Sequence, residues 1–333
     1  MSLGEFDLIA KYFDTQAQLP DHGVVIGIGD DCAILDIPNG QQLAVSTDTL
    51  VSGIHFFADV DPYRLGYKTL AVNLSDLAAM GATPKWASLA ITLPAMNEHW
   101  IAEFSRGFFD LANQFNVTLV GGDTTKGPLS ITVSVKGIVP RGAALPRHNA
   151  QSDDLICVSG ALGDGGLGLE CKRQALAVTH QSYFIDALEL TEPRIDLGIK
   201  LRHLASSCMD ISDGLTQDLT HILKASHCAA VIDVDKLPLS DAMLNQIKLG
   251  HISEQQALQY ALTGGDDYEL LFTIAAPQLA KLQHLTDDKI AVVGKIVDRA
   301  KINSTDTLIQ LFNNKQAISF SQQGWDHFHQ GNR

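Results

Sequence analysis

The chain has 333 residues, enough for two domains of ordinary size, and its 45% hydrophobic and 19% charged residues exclude an intrinsically disordered chain. Lys plus Arg number 24 and Asp plus Glu 38, a formal charge of −14. That balance speaks against a nucleic-acid partner held through basic phosphate contacts, but not against a small phosphorylated ligand bridged to acidic protein by divalent cations. Five cysteines, an odd number with no C-x-x-C spacing, fit reduced thiols in a cytosolic protein. No uncharged apolar run approaches the ~20 residues of a membrane span. Met1 to Asp7 lacks the basic start of a secretory signal, so a soluble, cytoplasmic protein without a membrane partner is expected.

Phe6, Ile9, Ala10 and Phe13 recur at helical spacing and predict a short amphipathic helix. Apolar runs flank Gly27-Ile28-Gly29-Asp30-Asp31 and predict a pair of strands, with Cys32 in the second; Gln42–Asp48 predicts a third. Asp61-Pro62 combines an N-cap with a first-turn proline, and Gly81 supplies the stop, so a helix is expected between them. Its second half, Leu70–Met80, is apolar nearly all round and therefore buried. Trp86–Leu93, Val117–Val120 and Leu129–Val139 read as strands and Glu98–Gln114 as a helix. The proline-bearing, aperiodic stretch Pro140–Asp153 marks the boundary between an N-terminal domain, 1–140, and a C-terminal domain, 141–333. Beyond it the pattern of strands (Leu155–Ser159, Ala230–Val234, Leu270–Ile274, Ile290–Val293) and helices (after Gly214, near Asp241–Leu249 and Glu254–Leu262, from Pro277) is α/β.

Aspartate beside Gly, Ser or Thr recurs at apolar boundaries: Gly29-Asp30-Asp31, Ser46-Thr47-Asp48-Thr49, Asn73-Leu74-Ser75-Asp76, Gly121-Gly122-Asp123, Asp210-Ile211-Ser212-Asp213 and Gly264-Gly265-Asp266-Asp267. One such spot fits a hairpin turn or a helix cap as well as a ligand. Six in one chain point to a shared metal site. Asn73 and Asp76, three apart, share a helix face, and an aspartate in a buried helix is costly unless paired or metal-bound. Hard oxygen donors suit Mg²⁺, which bridges to substrate phosphates. With no Walker A stretch, no protein-kinase catalytic loop and no Ser-His or Cys-His pairing, the chemistry inferred is ATP-dependent phosphoryl transfer without a P-loop. Gly163–Gly168 also fits the dinucleotide fingerprint G-x-G-x-x-G, but it is a lone match several residues past its strand; what survives is a glycine-rich helix start able to hold a phosphate.

Taken together and in this order, these motifs resemble the thiamine-monophosphate kinase family over essentially the full chain. The matching stretches include Gly4-Glu5-Phe6, Gly27–Asp31, Ser46–Leu50, Asn73–Gly81, Gly121–Thr125, Asp210–Gly214 and Gly264–Leu270. The resemblance implies the two-domain α/β fold shared with aminoimidazole ribonucleotide synthetase and selenophosphate synthetase, a homodimer formed through the N-terminal sheet, and ATP and thiamine monophosphate as substrates. It places Mg²⁺ ligands on Asp30, Asp31, Ser46, Thr47, Asp48, Asp76, Asp123, Asp210 and Asp213, ATP contacts on Gly122, Asp123, Arg147 and Ser212, and thiamine-phosphate contacts on His55, Asp266 and Trp325. Asp266 stands where the family often has glutamate. Read by itself, His55 fits a structural histidine and Trp325 a terminal core anchor.

The competing readings are another ATP-dependent enzyme of the same fold, of the purine-synthesis type, and a non-catalytic nucleotide- or metal-binding module. Selenophosphate synthesis lacks its reactive cysteine here, since Cys32 follows Asp31 in an apolar run. No side chain stands out as a nucleophile or general base, so direct in-line transfer is expected.

Overall fold

The computed structural model describes residues 9–14, 23–28, 31–301 and 307–318. Asp30, Trp325, Phe6 and the rest of the Gly4–Phe6 stretch lie outside the described residues. The chain divides into two compact units, Met1–Leu77 with Ala82–Ala144, and Leu145–Arg333 with Ala78–Gly81.

In the first unit, Ile9–Phe13 forms a turn of π-helix that buries Phe13. β1 (Val24–Ile26) and β2 (Ile34–Leu35) pair antiparallel as a short hairpin. The apolar runs that predict this pair are not core: Val25 is 59% exposed and Ile34 45%. Cys32 lies in the bend before β2 rather than within a strand.

Then follow β3 (Gln41–Val51), α1 (Pro62–Ala79), β4 (Thr83–Leu93), α2 (Glu98–Gln114), β5 (Thr118–Lys126) and β6 (Ser130–Pro140). They build a four-stranded sheet in the order β3-β6-β4-β5, antiparallel except for β4–β5. The caps read from sequence are present. Asp61 accepts from the N–H groups of Tyr63 and Arg64, at 2.8 and 3.2 Å, and Gly81 turns the chain out of α1 at φ +63°.

The sheet is covered on one face. Along β6 burial alternates residue by residue, with Ile131, Val133, Val135 and Val139 buried on the helix side. On the other face Leu43 and Val45 of β3 are 41% and 58% exposed. α1 and α2 approach so closely that a Cβ on Gly66 would strike the Phe104 carbonyl and one on Gly107 the Tyr63 carbonyl.

The second unit carries a seven-stranded sheet, β13-β12-β9-β11-β7-β10-β8. Its strands are β7 (Leu155–Ser159), β8 (Ala205–Asp210), β9 (Ala229–Asp233), β10 (Leu270–Ile274), β11 (Ile290–Val297), β12 (Ile309–Asn313) and β13 (Gln316–Ile318). The helices are α3 (Asp164–Lys172), α4 (Gln181–Glu189), α5 (Ile195–Leu201), α6 (Leu215–Ser226), α7 (Asp241–Leu249), α8 (Glu254–Thr263) and α9 (Ala276–Gln283). β10 is buried throughout, which explains its unbroken run Leu-Leu-Phe-Thr-Ile. Leu215, Leu219, Ile222 and Leu223 of α6 join Ile156, Val158 and Met209 in the main core. Leu167, Phe184, Met243 and Ala257 form a smaller cluster among α3, α4, α7 and α8.

We predict that Gly107→Val lowers stability by about 1–3 kcal/mol through overpacking against α1. Urea unfolding reads this as a lower midpoint; an unchanged midpoint would show that the two helices do not need their close approach.

Candidate functional site

In the first unit the site grows from the alternation of β3. Ser46 and Asp48 point to the helix side of the sheet, where α1 presents Asn73 and Asp76 one turn apart. The Asp48 N–H donates to Asn73 Oδ1 at 3.1 Å, and Asn73 Nδ2 donates to the Thr69 carbonyl at 2.9 Å. Ser46 Oγ donates to Asp76 Oδ2. Burial, then the charge of Asp76 and a hydrogen bond with it, push Asp48 up to about 6. Among the described residues no cation contributes to that environment. Two carboxylates are thus held together with a hydroxyl beside them, a donor set of hard oxygens.

Other predicted residues stand elsewhere in the unit. Asp48, Val133, Leu89 and Gly122 form one row across the sheet, and Thr49, Thr132, Ala90 and Asp123 the next. Neighbouring rows face opposite sides, so Asp123 does not share the face of Asp48 and Asp76, and Thr47 does not share that of Ser46. Gly122 has no room for a side chain, since a Cβ would meet the Leu89 carbonyl. Asp31 is exposed beside the β1–β2 hairpin. His55 closes the turn after β3, where its Nδ1 accepts the Val51 N–H at 3.0 Å.

In the second unit two aspartate loops are stitched together. The N–H groups of Asp266 and Tyr268 donate to the carbonyls of Ser212 and Ile211, at 2.9 and 2.8 Å, and the Ile211 N–H returns to the Glu269 carbonyl at 2.8 Å. Gly265, at φ +61°, makes this approach possible: a Cβ there would sit 2.7 Å from the Ser212 carbonyl oxygen. Asp210 ends β8 almost fully buried, while Ser212 and Asp213 are half-buried.

Asp218, which the sequence reading does not single out, lies 1% exposed in the first turns of α6. Its Oδ2 accepts the Asp213 N–H at 3.1 Å. Burial, then Asp213 and Asp210, raise its carboxyl to about 8. Arg147 is exposed, yet it reaches the same region electrostatically. After burial, Arg147 and Lys224 hold His221 below the usual imidazole range, and Asp213 opposes them.

A cleft of about 320 Å³ opens in this unit, lined by Asp164, Tyr183, Arg194, Asp266, Asp267 and Glu269 among others. Glu269 accepts a forked pair of bonds from Arg194, Nε at 2.8 Å and Nη2 at 2.6 Å, and a third from Ser159 Oγ. The glycine-rich start of α3 does not stand ready for a phosphate. The N–H groups of Gly163 and Gly165 donate to Asp267, which occupies the helix N-terminus with the chain's own carboxylate. Burial pushes Asp267 up while those bonds pull it down.

Among the described residues no three His, Cys, Asp or Glu side chains form a ready-made cage. Carboxylates in pairs, with hydroxyls, are what Mg²⁺ uses when waters and substrate phosphates complete its shell. The donor set therefore fits Mg²⁺ rather than a structural zinc.

Residues 29–139 match the family described as AIR synthase related protein, N-terminal domain, and residues 151–307 the corresponding C-terminal domain. The thiamine-monophosphate kinase of Salmonella typhimurium is 46% identical, with 98% of this chain and 99% of that protein covered. The crystal structure of thiamine-monophosphate kinase from Stenotrophomonas maltophilia K279a is 42% identical over 96% of this chain and 99% of that one, at a TM-score of 0.82. AaThiL complexed with AMPPCP and TMP is 28% identical over 98% and 99%, at a TM-score of 0.75. The two-part α/β architecture expected from the motifs is the one observed.

The Asp48–Asp76 pair gives a signed prediction for the metal-free protein. Asp48 is raised from its ordinary 3.8 to about 6, so between those values the fold keeps a proton that the unfolded chain releases. Stability is then greatest at low pH and falls as pH rises through about 6. We predict that Asp48→Asn flattens this part of the curve when unfolding is followed in a chelator. A variant curve parallel to wild type between pH 4 and 7 would remove the pair as its cause.

Proposed function

We propose, for a chain that belongs to the thiamine-monophosphate kinase family, that it transfers the terminal phosphoryl group of ATP to the phosphate of thiamine monophosphate, forming thiamine diphosphate and ADP. The observation that carries the reading is the likeness, spread over nearly the whole chain, to kinases named for this reaction.

Transfer is direct and in line. The second pKa of a phosphate monoester is about 6, so the attacking oxygen is already largely an anion at neutral pH and no general base is required. The difficulty is electrostatic, since two unit like charges 4 Å apart repel by about 4 kcal/mol even at an effective dielectric of 20. Bound Mg²⁺ supplies charge neutralisation and orientation of the phosphates. Asp30, Asp31, Ser46, Thr47, Asp48, Asp76, Asp123, Asp210 and Asp213 are the residues that would hold several such ions, Thr47 and Asp123 on the opposite sheet face from Ser46 and Asp48 serving a separate one. Gly122, Asp123, Arg147 and Ser212 bind ATP; the absence of a side chain at Gly122 admits a close approach to backbone. His55, Asp266 and Trp325 bind thiamine monophosphate. With Nδ1 accepting from Val51, the neutral ring of His55 carries its proton on Nε2, the form able to donate to a phosphate oxygen.

No helix among the described residues is long and apolar enough to cross a membrane. The free cysteines suit a reducing compartment, and we place the protein in the cytoplasm. The exposed face of the first sheet, with Leu43 and Val45, supports a two-fold homodimer.

The decisive assay is incubation with ATP, Mg²⁺ and thiamine monophosphate followed by product identification. Thiamine diphosphate is expected; ATP turnover only with another acceptor would move the chain to a different enzyme of the same fold. We further predict that Asp266→Ala raises KM for thiamine monophosphate by about ten- to a hundredfold, the loss of a charged hydrogen bond worth about 1.5–3 kcal/mol, with KM for ATP unchanged. An unaltered KM for thiamine monophosphate removes Asp266 from the site. Sedimentation should give a dimer that Val45→Arg converts to a monomer; a wild-type monomer at micromolar concentration would contradict the assembly.

A further inference from the structure

Asp218 is a buried carboxylate that the proposed reaction does not use. An acidic group in the first turns of a helix is ordinarily explained by the helix dipole, but such groups gain little from burial and are usually exposed. Asp218 is instead 1% exposed.

What it gains is the shape of one loop. Asp218 Oδ2 accepts the backbone N–H of Asp213 at 3.1 Å. Its own N–H, with that of Gln217, donates to the Gly214 carbonyl at 3.0 Å. Gln217 Nε2 donates to Asp213 Oδ2 at 3.2 Å, so the first turn of α6 holds both the backbone and the carboxylate of Asp213. Gly214 adopts φ +108°, and a Cβ there would strike the Thr263 backbone, so the loop packs too closely on that side for any side chain. With its N–H turned inward to Asp218, Asp213 keeps a half-exposed side chain, as does Ser212 beside it.

We propose that Asp218 is a positioning residue that fixes Ser212 and Asp213 for Mg²⁺-nucleotide, an inference resting on the reading that these two residues bind it. Asp218 acts through the Asp213 peptide group it accepts from and through the first turn of α6.

The test uses the full chain and three proteins: wild type, Asp218→Asn, which keeps the shape and one acceptor oxygen, and Asp218→Ala. Calorimetric titration with a non-hydrolysable ATP analogue and Mg²⁺ is followed by steady-state kinetics and by unfolding without ligand. Loss of a residue that orients ligand-bearing groups weakens binding by about ten- to a hundredfold. That loss is expected for Asp218→Ala, with a smaller loss for Asp218→Asn, while KM for thiamine monophosphate stays constant. The unfolding midpoint of Asp218→Asn without ligand is expected to equal or exceed that of wild type. Wild-type affinity in either folded variant overturns the proposal. So does a lower ligand-free midpoint of Asp218→Asn with nucleotide affinity intact, the signature of a merely structural carboxylate. If Asp218→Ala does not fold, Asp218→Asn decides alone. Wild-type protein that binds the analogue but does not phosphorylate thiamine monophosphate refutes the kinase reading, and the affinity ratios still judge Asp218.

Discussion

Asp48 and Asp76 meet on adjacent elements in a half-buried place, and the repulsion between them is a cost that folding has to carry. β3 and α1 bring them together because each element must bury its apolar face. The strand's alternation turns Ala44, Ser46, Asp48 and Leu50 to the helix side, and the all-round apolar helix cannot present Asp76 anywhere but to protein. Asn73 then pins the strand's backbone to the helix. The rest of the first unit reads as support for that meeting, with Gly66 and Gly107 letting the second helix close over the first. A divalent cation held between them, as the proposed function requires, would turn that cost into an attraction.

The second unit solves a backbone problem instead. Two loops, 210–214 and 264–269, exchange main-chain hydrogen bonds, which requires positive φ at Gly265, Asp266 and Tyr268. Non-glycine residues hold such angles only when their surroundings insist on them. Here the bonds between the loops do the insisting, with the N–H groups of Asp266 and Tyr268 on the Ser212 and Ile211 carbonyls. Buried carboxylates brace the surroundings: Asp218 accepts the Asp213 N–H, Asp267 those of the α3 start, and Glu269 holds Arg194 at the cleft wall.

Local signals made much of this legible in the sequence. Asp61-Pro62 and Gly81 delimit α1, and Glu98–Gln114 and Asp241–Leu249 are found as read, the latter with Ser240 as its cap. The pairing of Ser46 and Asp48 with Asp76 was foreshadowed by the cost of an aspartate in a buried helix. What escaped depends on distant partners. α4 is fixed by packing of Phe184 against Gly168, and Asp267 reaches Gly163 across 104 residues. The glycine-rich stretch looked ready for a phosphate because its occupant lies so far along the chain. Thr47 and Asp123 are a different case. Strand alternation, available in the sequence, already places Thr47 on the opposite face from Ser46 and Asp48, whereas the face of Asp123 depends on the pairing of β5 with β4.

If clustered carboxylates are the organising feature, ligand-free protein must respond to Mg²⁺ together with nucleotide in a way that screening alone cannot reproduce. The most direct measurement is the thermal unfolding midpoint in Mg²⁺ with a non-hydrolysable ATP analogue, compared with sodium chloride at equal ionic strength. Mg²⁺ and nucleotide together should raise the midpoint well above the salt control, by the equivalent of about 2.7 kcal/mol at a hundred times the dissociation constant. An equal rise in sodium chloride, or none in either, would contradict a metal-nucleotide role for the carboxylates.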